Sequence, residues 1–335
     1  MKVVYASNDN YARHLAVSLY SLLEHNREIS DVQIYILSMG LSPETRIRLD
    51  QVAGTFGRTL TMIELGDLRE RFSCEVDTGG FDLSIMARLF IGEVLPPDTD
   101  RVLYLDCDTV VLASLKRLWE TELDSSVLGG VMEPTIYPSI KEDIGLLPDE
   151  PYFNSGVLLI DMKRWRSEYA GKMLLDFYCS RGGKLFAGDQ DTINGALKGK
   201  IKPLPPRYNF FTNYRYYRYS HLTRLSPVYK KITRKSFQEA KRRPVILHFM
   251  GDERPWKQGN LNHYRKAYET YLSRTPWAGT PKENGSLLYM AAYHLMDYAT
   301  FLCPPVRDFV SRKFGMQVIN SRKNDRSETN QKEKA

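Results

Sequence analysis

Two carboxylates interrupt an apolar run. In RVLYLDCDTVVLASL, residues 101–115, the segment Val102–Leu105 reads as a buried strand, and Asp106 and Asp108 follow it one residue apart. Unpaired buried charge costs on the order of several kcal/mol or neutralises itself. On an extended strand, residues at that spacing face the same way. Like charges so placed repel unless a cation lies between them, and a hard divalent ion with oxygen ligands meets that need. The competing reading is a pair of loop acids capping the next helix. Their place at the C-terminal end of a strand, where open α/β sheets bind ligands, favours the ion.

A third ligand is expected in VILHFMGDERPWK, residues 245–257. His248 ends an apolar run, and an imidazole beside carboxylates suits Mn²⁺ better than Mg²⁺ or Ca²⁺. A lone histidine there is ordinarily structural, but its neighbours change the reading. Gly251 permits close backbone approach, and Arg254 and Lys257 offer positive charge to phosphate oxygens. No Gly-x-x-x-x-Gly-Lys or Gly-x-Gly-x-x-Gly loop occurs where a P-loop or dinucleotide fold needs it.

The elements that must hold these groups alternate. KVVYAS (2–7), DVQIYILSM (31–39), TLTMIEL (59–65) and the run ending at Leu105 predict strands. Between them, residues 8–26, 42–57 and 84–96 predict helices, with Ser42 as a cap and Pro96 as a stop. Further apolar runs at 126–132 and 155–161, helical patterns at 162–180 and from 189, and a short strand at 244–250 extend the alternation. Residues 200–243 read as irregular, aromatic and basic. The pattern implies an α/β fold with a mostly parallel sheet and helices on its faces.

The 335 residues are 42% hydrophobic and 26% charged, an ordinary globular balance. Cys74, Cys107, Cys179 and Cys303 show no metal or pairing spacing, which argues against a disulfide scaffold and fits a reducing compartment. MKVVYAS is too short an apolar start for a signal peptide, and no run is long enough to span a membrane. A cytoplasmic protein is expected. The net charge is +7, concentrated at 230–243 and from Arg307 onward. Such clusters suit a phosphorylated substrate or an anionic membrane, or are solvated faces.

After Pro276 the pattern changes. Residues 286–302, SLLYMAAYHLMDYATFL, place Leu288, Ala292, Leu295, Ala299 and Leu302 on one helical face, and Ser286, Tyr293, Asp297 and Thr300 on another. Pro304 and Pro305 end this helix, and basic residues follow. It either lies on an anionic membrane surface or docks on the body or a partner. The expected organisation is a catalytic domain over 1–275, an amphipathic, membrane-associating extension over 276–319 and a disordered tail over 320–335.

Seven stretches occur in order: YASNDNYARHLAVSLYSLL, MARLFIGEVLP, RVLYLDCDTVVLASLKRLW, YFNSGVLLIDMKRW, GDQDTINGAL, RYNFFTNY and HFMGDERPWK. Together they resemble glycosyltransferase family 8, over residues 1–275, with closest likeness to bacterial lipopolysaccharide and lipo-oligosaccharide galactosyl- and glucosyltransferases. The resemblance implies a GT-A fold, a retaining reaction, a UDP-sugar donor and Mn²⁺, with Mg²⁺ as a substitute ion. By position, Asp106, Asp108 and His248 are the implied metal ligands. Ala6, Asn8, Asn10 and Tyr11 fall where the family grips the nucleoside, and Asn8 stands where relatives often have Asp. Arg88, Asp106, Asn154, Asp189 and Gln190 match donor-sugar contacts, and Gln190 takes the place facing the reacting carbon. Gly251 matches a diphosphate contact. Arg254 replaces the usual Lys before Pro-Trp, and Lys257 is its rival. Cys107 is expected to give the nucleotide backbone contact or packing, with its side chain turned from the ion.

The expected function is transfer of Gal or Glc from a UDP-sugar to a saccharide or glycolipid acceptor in cell-surface glycan synthesis. Gln190 is a poor covalent nucleophile, which favours a same-face mechanism; a double displacement would fall to Asp189. The aromatic stretch 208–220 either lines the acceptor side or packs in the core. A nucleotide-sugar-forming nucleotidyltransferase is the first alternative, but YASNDNYAR lacks its Gly-rich loop. A basic, aromatic RNA-binding protein is the second, although it has no use for Asp106, Asp108 and His248, and no nucleic-acid partner is expected.

Overall fold

The sheet is built outward from the strand that ends at the paired acids. In the computed structural model, which describes residues 1–310 and 313, the strands are β1 (Lys2–Ser7), β2 (Gln33–Ser38), β3 (Leu60–Glu64), β4 (Arg101–Leu105), β5 (Thr109–Val111), β6 (Leu128–Met132), β7 (Phe153–Asp161), β8 (Ile201–Pro203), β9 (Phe210–Phe211) and β10 (Ile246–His248). Seven of them form one sheet in the order β3-β2-β1-β4-β7-β6-β8. Strand β7 runs antiparallel to both neighbours, and the remaining pairs are parallel. The central strands β1, β4 and β7 are almost wholly buried, as expected of apolar runs covered on both sides. A second sheet, β5-β10-β9, holds β10 antiparallel to β5 and parallel to β9. One continuous hydrophobic core joins the two sheets.

Two helix groups support them. Ala12–Glu24 packs with Pro43–Gly54 and Arg265–Leu272, while Met162–Ser167, Ala170–Ser180 and Asp189–Ala196 pack in sequence near the segment Leu83–Phe90. Ser42 caps its helix through Thr45 N at 3.3 Å, as predicted. Other predictions need correction. Residues 84–96 are a 3₁₀ segment, Leu83–Phe90, followed by one α-turn that ends before Pro96. The helix over 162–180 breaks at Tyr169, whose φ is 54°. Residues 200–243 are less irregular than read, since they include β8, β9 and the helices Tyr219–Leu225 and Arg234–Arg242. In the aromatic stretch, Tyr208, Phe210, Phe211, Tyr214 and Tyr217 are buried in the core, which decides against an acceptor-lining role for them. Against the expectation of unpaired cysteines, Cys74 and Cys179 form a disulfide across 105 residues of sequence, so the cysteines no longer argue for a reducing compartment. Their pairing depends on the chain from Phe72 returning to the end of helix Ala170–Ser180, which local spacing does not encode.

The helix Leu287–Leu302 docks on the body by its polar side. Met290, His294, Asp297 and Thr300 are buried. His294 Nε2 accepts from Leu261 N at 2.8 Å, and Asp297 lies between His294 Nδ1 at 3.3 Å and Arg307 Nη1 at 3.5 Å. Among the described residues no helix is long and apolar enough to cross a membrane. The tail expected over 320–335 lies outside the described residues.

Beneath this helix Glu253 is buried. It accepts from Thr212 Oγ1 at 3.0 Å and from Asn262 Nδ2, and its Oε1 has no hydrogen-bond partner. Burial, reinforced by Asp297, pushes its pKa up to about 7. A folded-state pKa raised above the unfolded value gives a contribution that is full below the unfolded pKa and lost as pH rises through about 7. Glu253→Gln should therefore match the wild type at pH 4 and exceed it at pH 8 by on the order of 3 kcal/mol in urea unfolding. A difference that stays flat between those pH values would show that Glu253 is charged throughout.

Candidate active site

The turn Asp106–Asp108 joins the two sheets. Strand β4 stops at Leu105 in the large sheet, and β5 starts at Thr109 in the small one. The two acids therefore converge through a turn rather than by alternation along an extended strand. Thr109 Oγ1 closes the turn on Asp106 O at 2.7 Å, and Cys107 Sγ points back to Ala6 O at 3.2 Å. Cys107 thus stays off the acids, as expected, and ties their turn to the end of β1. His248 is the last residue of β10, paired in register with Thr109.

These elements bring one oxygen of each acid and one imidazole nitrogen together. His248 Nε2 lies 3.1 Å from Asp108 Oδ1 and 3.8 Å from Asp106 Oδ2. The three ligand atoms all fall within 4.8 Å of one another. Asn209 Oδ1 sits 2.9 Å from His248 Nδ1, so that nitrogen carries the proton and Nε2 presents its lone pair to the carboxylates. Asp108 Oδ1 is buried and has no partner in hydrogen-bond geometry. Such an orphaned oxygen beside an imidazole lone pair fits a divalent cation. Without the ion, burial raises the Asp108 carboxyl and lowers the His248 imidazole, but each group outweighs this for the other, so Asp108 is lowered and His248 raised. The other oxygen of Asp106 is committed. It accepts from Arg88 Nη2 at 2.7 Å and from Tyr104 Oη at 3.1 Å.

Arg88 is a second node. Its guanidinium is buried, reaches Asp189 Oδ2 through Nε at 3.0 Å, donates to Ser155 O at 2.6 Å and lies 4.4 Å from the centre of the Tyr104 ring. Asp189 also accepts from Ser155 Oγ at 2.9 Å. Burial nonetheless pushes the Asp189 carboxyl up to about 6 against the pull of Arg88. The helix Asp189–Ala196 starts at Asp189 after Gly188, which adopts φ 46°.

Gln190 and Asn154 belong to a third, connected group. Gln190 Oε1 accepts from Ser155 N at 3.1 Å and Asn154 Nδ2 at 2.9 Å, so the backbone donor fixes the orientation of the amide. Its Nε2 donates to Glu133 Oε2 at 3.2 Å and Tyr152 Oη at 3.1 Å. Asn154 also donates to Glu133 at 3.1 Å, and its Oδ1 accepts from Asn209 at 2.8 Å, which links this group to His248. Glu133 is buried, and desolvation raises its pKa. A register shift between Gly130 and Val131 aims the end of β6 at this corner. Sequence reasoning missed Glu133, although its signal matches that of Asp106: an acid closing an apolar run, VLGGVME. Asn209 and Tyr152 had no comparable signal.

The nucleotide candidates gather at the end of β1. Asn8 donates to Asp82 Oδ2 at 2.7 Å and accepts from Tyr11 N at 3.2 Å, so both ends of its amide brace the loop. Asn10 is exposed, and Tyr11 is half-buried with its ring edge-on to His14 at 5.5 Å. Gly251 adopts φ 64° with open space where a Cβ would stand. Between the two basic candidates, Arg254 has a buried Nε without a hydrogen-bond partner. Burial opposes its charge, but Tyr11 and Asp108 outweigh burial and raise its pKa. Lys257 instead holds a backbone bridge with Glu283.

The doubly layered sheet, the strand-end acids and the antiparallel β7 define a GT-A glycosyltransferase fold, with an Asp-Asp-His group able to hold a divalent metal. A family model for glycosyl transferase family 8 matches residues 2–259, and the chain belongs to that family. Among curated relatives, General stress protein A of Bacillus subtilis is 27% identical over 289 residues, covering 85% of this chain and 98% of its own. Lipopolysaccharide 1,2-glucosyltransferase of Escherichia coli is 26% identical over 294 residues, covering 86% and 82%. The solved structure of galactosyltransferase LgtC in complex with donor and acceptor sugar analogues superposes with TM-score 0.68 at 26% identity, covering 82% of this chain and 96% of that one.

The packing yields a direct check on the metal cluster. A Cβ at Gly156 would meet Asp106 Oδ2 at 2.7 Å and overlap the His248 ring. Gly156→Ala should keep the far-UV circular dichroism spectrum and weaken divalent-cation binding at least tenfold by calorimetry. Unchanged affinity would place the ion elsewhere.

Proposed function

We propose that the protein transfers a hexosyl group, Gal or Glc, from a UDP-sugar to a hydroxyl of a saccharide or glycolipid acceptor, with retention of configuration. Residues 1–275 form the catalytic domain in this reading, and the reaction takes place on the cytoplasmic side. The observation that carries it is the unpartnered Asp108 Oδ1 beside His248 Nε2, with the Arg254 guanidinium in the same electrostatic field. Lipopolysaccharide or a related surface glycan is the proposed acceptor class, supported by the resemblance to the Escherichia coli glucosyltransferase.

Breaking the bond between a sugar and a diphosphate builds negative charge on the leaving oxygens and positive charge on the anomeric carbon. Bound to Asp106, Asp108 and His248, Mn²⁺ would neutralise the diphosphate, and Mg²⁺ is the substitute. Arg254 adds fixed positive charge on the same side, with Gly251 leaving room for the phosphates. Ala6, Asn10, Tyr11 and the backbone at Cys107 hold the nucleoside, while Asn8 holds the shape of their loop. Arg88 and Asn154 orient the donor sugar, Arg88 from between Asp106 and Asp189. Asp189 is held by Arg88 and Ser155, which makes it a positioning residue and a poor nucleophile.

Gln190 faces the reacting carbon in this assignment. Its oxygen already accepts two hydrogen bonds, so the fuller negative charge at that corner resides on Glu133, which its nitrogen contacts. The acceptor hydroxyl then attacks on the face from which the diphosphate departs. The new glycosidic bond forms as the old one breaks, and the leaving phosphate takes the hydroxyl proton.

The decisive experiment is UDP release from a panel of nucleotide sugars, with Mn²⁺ or EDTA. Turnover should require the metal and select a UDP-hexose; absence of metal-dependent turnover or binding with every UDP-sugar would overturn the proposal. Asp108→Ala should abolish turnover in a folded protein. Gln190→Ala should lower kcat roughly 10²-fold with little change in donor KM. Equal losses in donor affinity would reassign Gln190 to ground-state binding.

A further inference from the structure

Between the end of β6 and the segment 225–229 lies a cavity that the assigned reaction does not use. It encloses about 90 Å³, whereas a single water needs only about 10–15 Å³. It therefore has room for a group of several non-hydrogen atoms. Its walls are mostly apolar, formed by Met132, Ile136, Pro138, Pro148, Pro227 and Val228. The prolines have a fixed φ, which resists collapse of the space. Lys141, also in the wall, is buried and donates to Pro148 O at 2.7 Å and to Glu150 O, which ties the loop that carries Pro138 to the one that carries Pro148.

Two polar groups in the wall have hydrogen-bonding capacity to spare. Tyr229 is 1% exposed, and its hydroxyl has no hydrogen-bond partner. Its ring lies 6.4 Å from that of Tyr219 and 6.3 Å from that of Phe237, which holds the hydroxyl in place. Burial raises its pKa, so it remains a donor near neutral pH. A buried hydroxyl without a partner is costly and asks for an explanation. Glu133 is the second group. It accepts from Asn154 and Gln190 on Oε2, which leaves Oε1 to accept another hydrogen bond. Tyr152, by contrast, is committed, since its hydroxyl donates to Asp191 and accepts from Gln190 Nε2.

Glu133 and Tyr152 line the cavity and also contact Gln190, so the cavity lies one side chain away from Gln190. Arg88, Asp106, Asn154 and Asp189, the groups assigned to the donor sugar, take no part in its wall. A substituent held here therefore belongs to the acceptor. An anion would meet Glu133 and a cation would meet the Lys141 ammonium, so a neutral group fits best. A hydroxyl would satisfy one polar group and leave the apolar wall uncovered. A secondary amide ending in a methyl group meets all three demands at once. We propose that the cavity receives the N-acetyl group of an acceptor N-acetylhexosamine, with its carbonyl on Tyr229 Oη, its N–H on Glu133 and its methyl against the apolar wall. This assignment rests on the glycosyl-transfer reading above and names the acceptor class within it.

The test titrates the full chain, with UDP and Mn²⁺ present, against methyl glycosides of N-acetylglucosamine, N-acetylgalactosamine, glucose and galactose by calorimetry. The N-acetyl glycosides should bind at least tenfold more tightly than the plain ones. Tyr229→Phe keeps the ring and should bring them down to the affinity of the plain glycosides. Val228→Phe, which fills the cavity, should do the same. Equal affinity of the wild type for both classes, or a preference that both variants retain, would overturn the proposal. So would a Tyr229-dependent preference for a UDP-N-acetylhexosamine over a UDP-hexose, because the amide would then sit on the donor. UDP release from UDP-hexoses, followed separately, distinguishes the two failures. Metal-dependent turnover without an N-acetyl preference overturns this site alone, and an N-acetyl preference without any turnover overturns the reaction alone.

Discussion

The excess of negative charge at the end of β4 governs the site. Asp106, Asp108, Asp189 and Glu133 converge there, and Arg88 directly contacts Asp106 and Asp189. That ion pairing neutralises part of the charge and holds one oxygen of Asp106 away from the cluster. Asp108 has His248, and His248 Nδ1 is committed as a donor to Asn209 Oδ1. The remaining lone pairs point at one another. Closing such an arrangement by protonation would neutralise the acids, whereas a divalent cation satisfies all three ligands at once. The fold therefore maintains an electrostatic deficit by design of its packing, and neighbouring residues are shaped by it: Gly156 because a side chain would enter the cluster, and Asn209 because the imidazole needs one tautomer.

That deficit also explains the two-sheet architecture. A single strand cannot place Asp106, Asp108 and His248 around one point, since residues on one face stand further apart along its length. Transferring the chain from the large sheet to the small one within the turn 106–108 lets both acids converge, and β10 supplies His248 by pairing with the strand that follows them. Val110 and Val111 anchor that strand in the core, so the turn cannot drift. The hydrogen bonds from Asn209 through Asn154 to Gln190 then carry positional order from the Asp-Asp-His group to Gln190 and Glu133.

Much of this was legible before any coordinates. The strand and helix alternation follows from apolar runs whose period survives packing, and Asp106, Asp108 and His248 stood out because charge closing an apolar run is costly. Glu133 carried the same mark and was overlooked, since MEP offered no second acid to raise the question. What could not be read depends on distant chain segments meeting: the Cys74–Cys179 pair, Asn209 behind His248, and the burial of the 208–217 aromatics. The role of Asn8 was read from position, yet its amide is engaged by Asp82, a contact across 74 residues. Lys257 and Arg254 were equivalent by charge, and their difference lies in the buried Nε of Arg254 and the backbone bridge that Lys257 makes to Glu283.

The segment from Met250 to Lys257 is where the separate parts meet. It leaves His248 beside the paired acids, turns at Gly251 and buries the Nε of Arg254. Its outer side is held by later parts of the chain: Asp252 by Tyr289, Glu253 by Asn262 close to Asp297, and Lys257 by the backbone of Glu283. Glu283 in turn pairs with Arg13, beside the loop at the end of β1. A helix that presents leucines outward is thereby braced against the loop that carries Gly251 and Arg254. The polar grip that reverses the helix is the same one that holds the segment 250–257, so its buried charges serve placement on both sides. Replacing them by apolar groups would release the loop as well as the helix, which is a physical reason for a protein to keep so many ionisable groups in one buried seam.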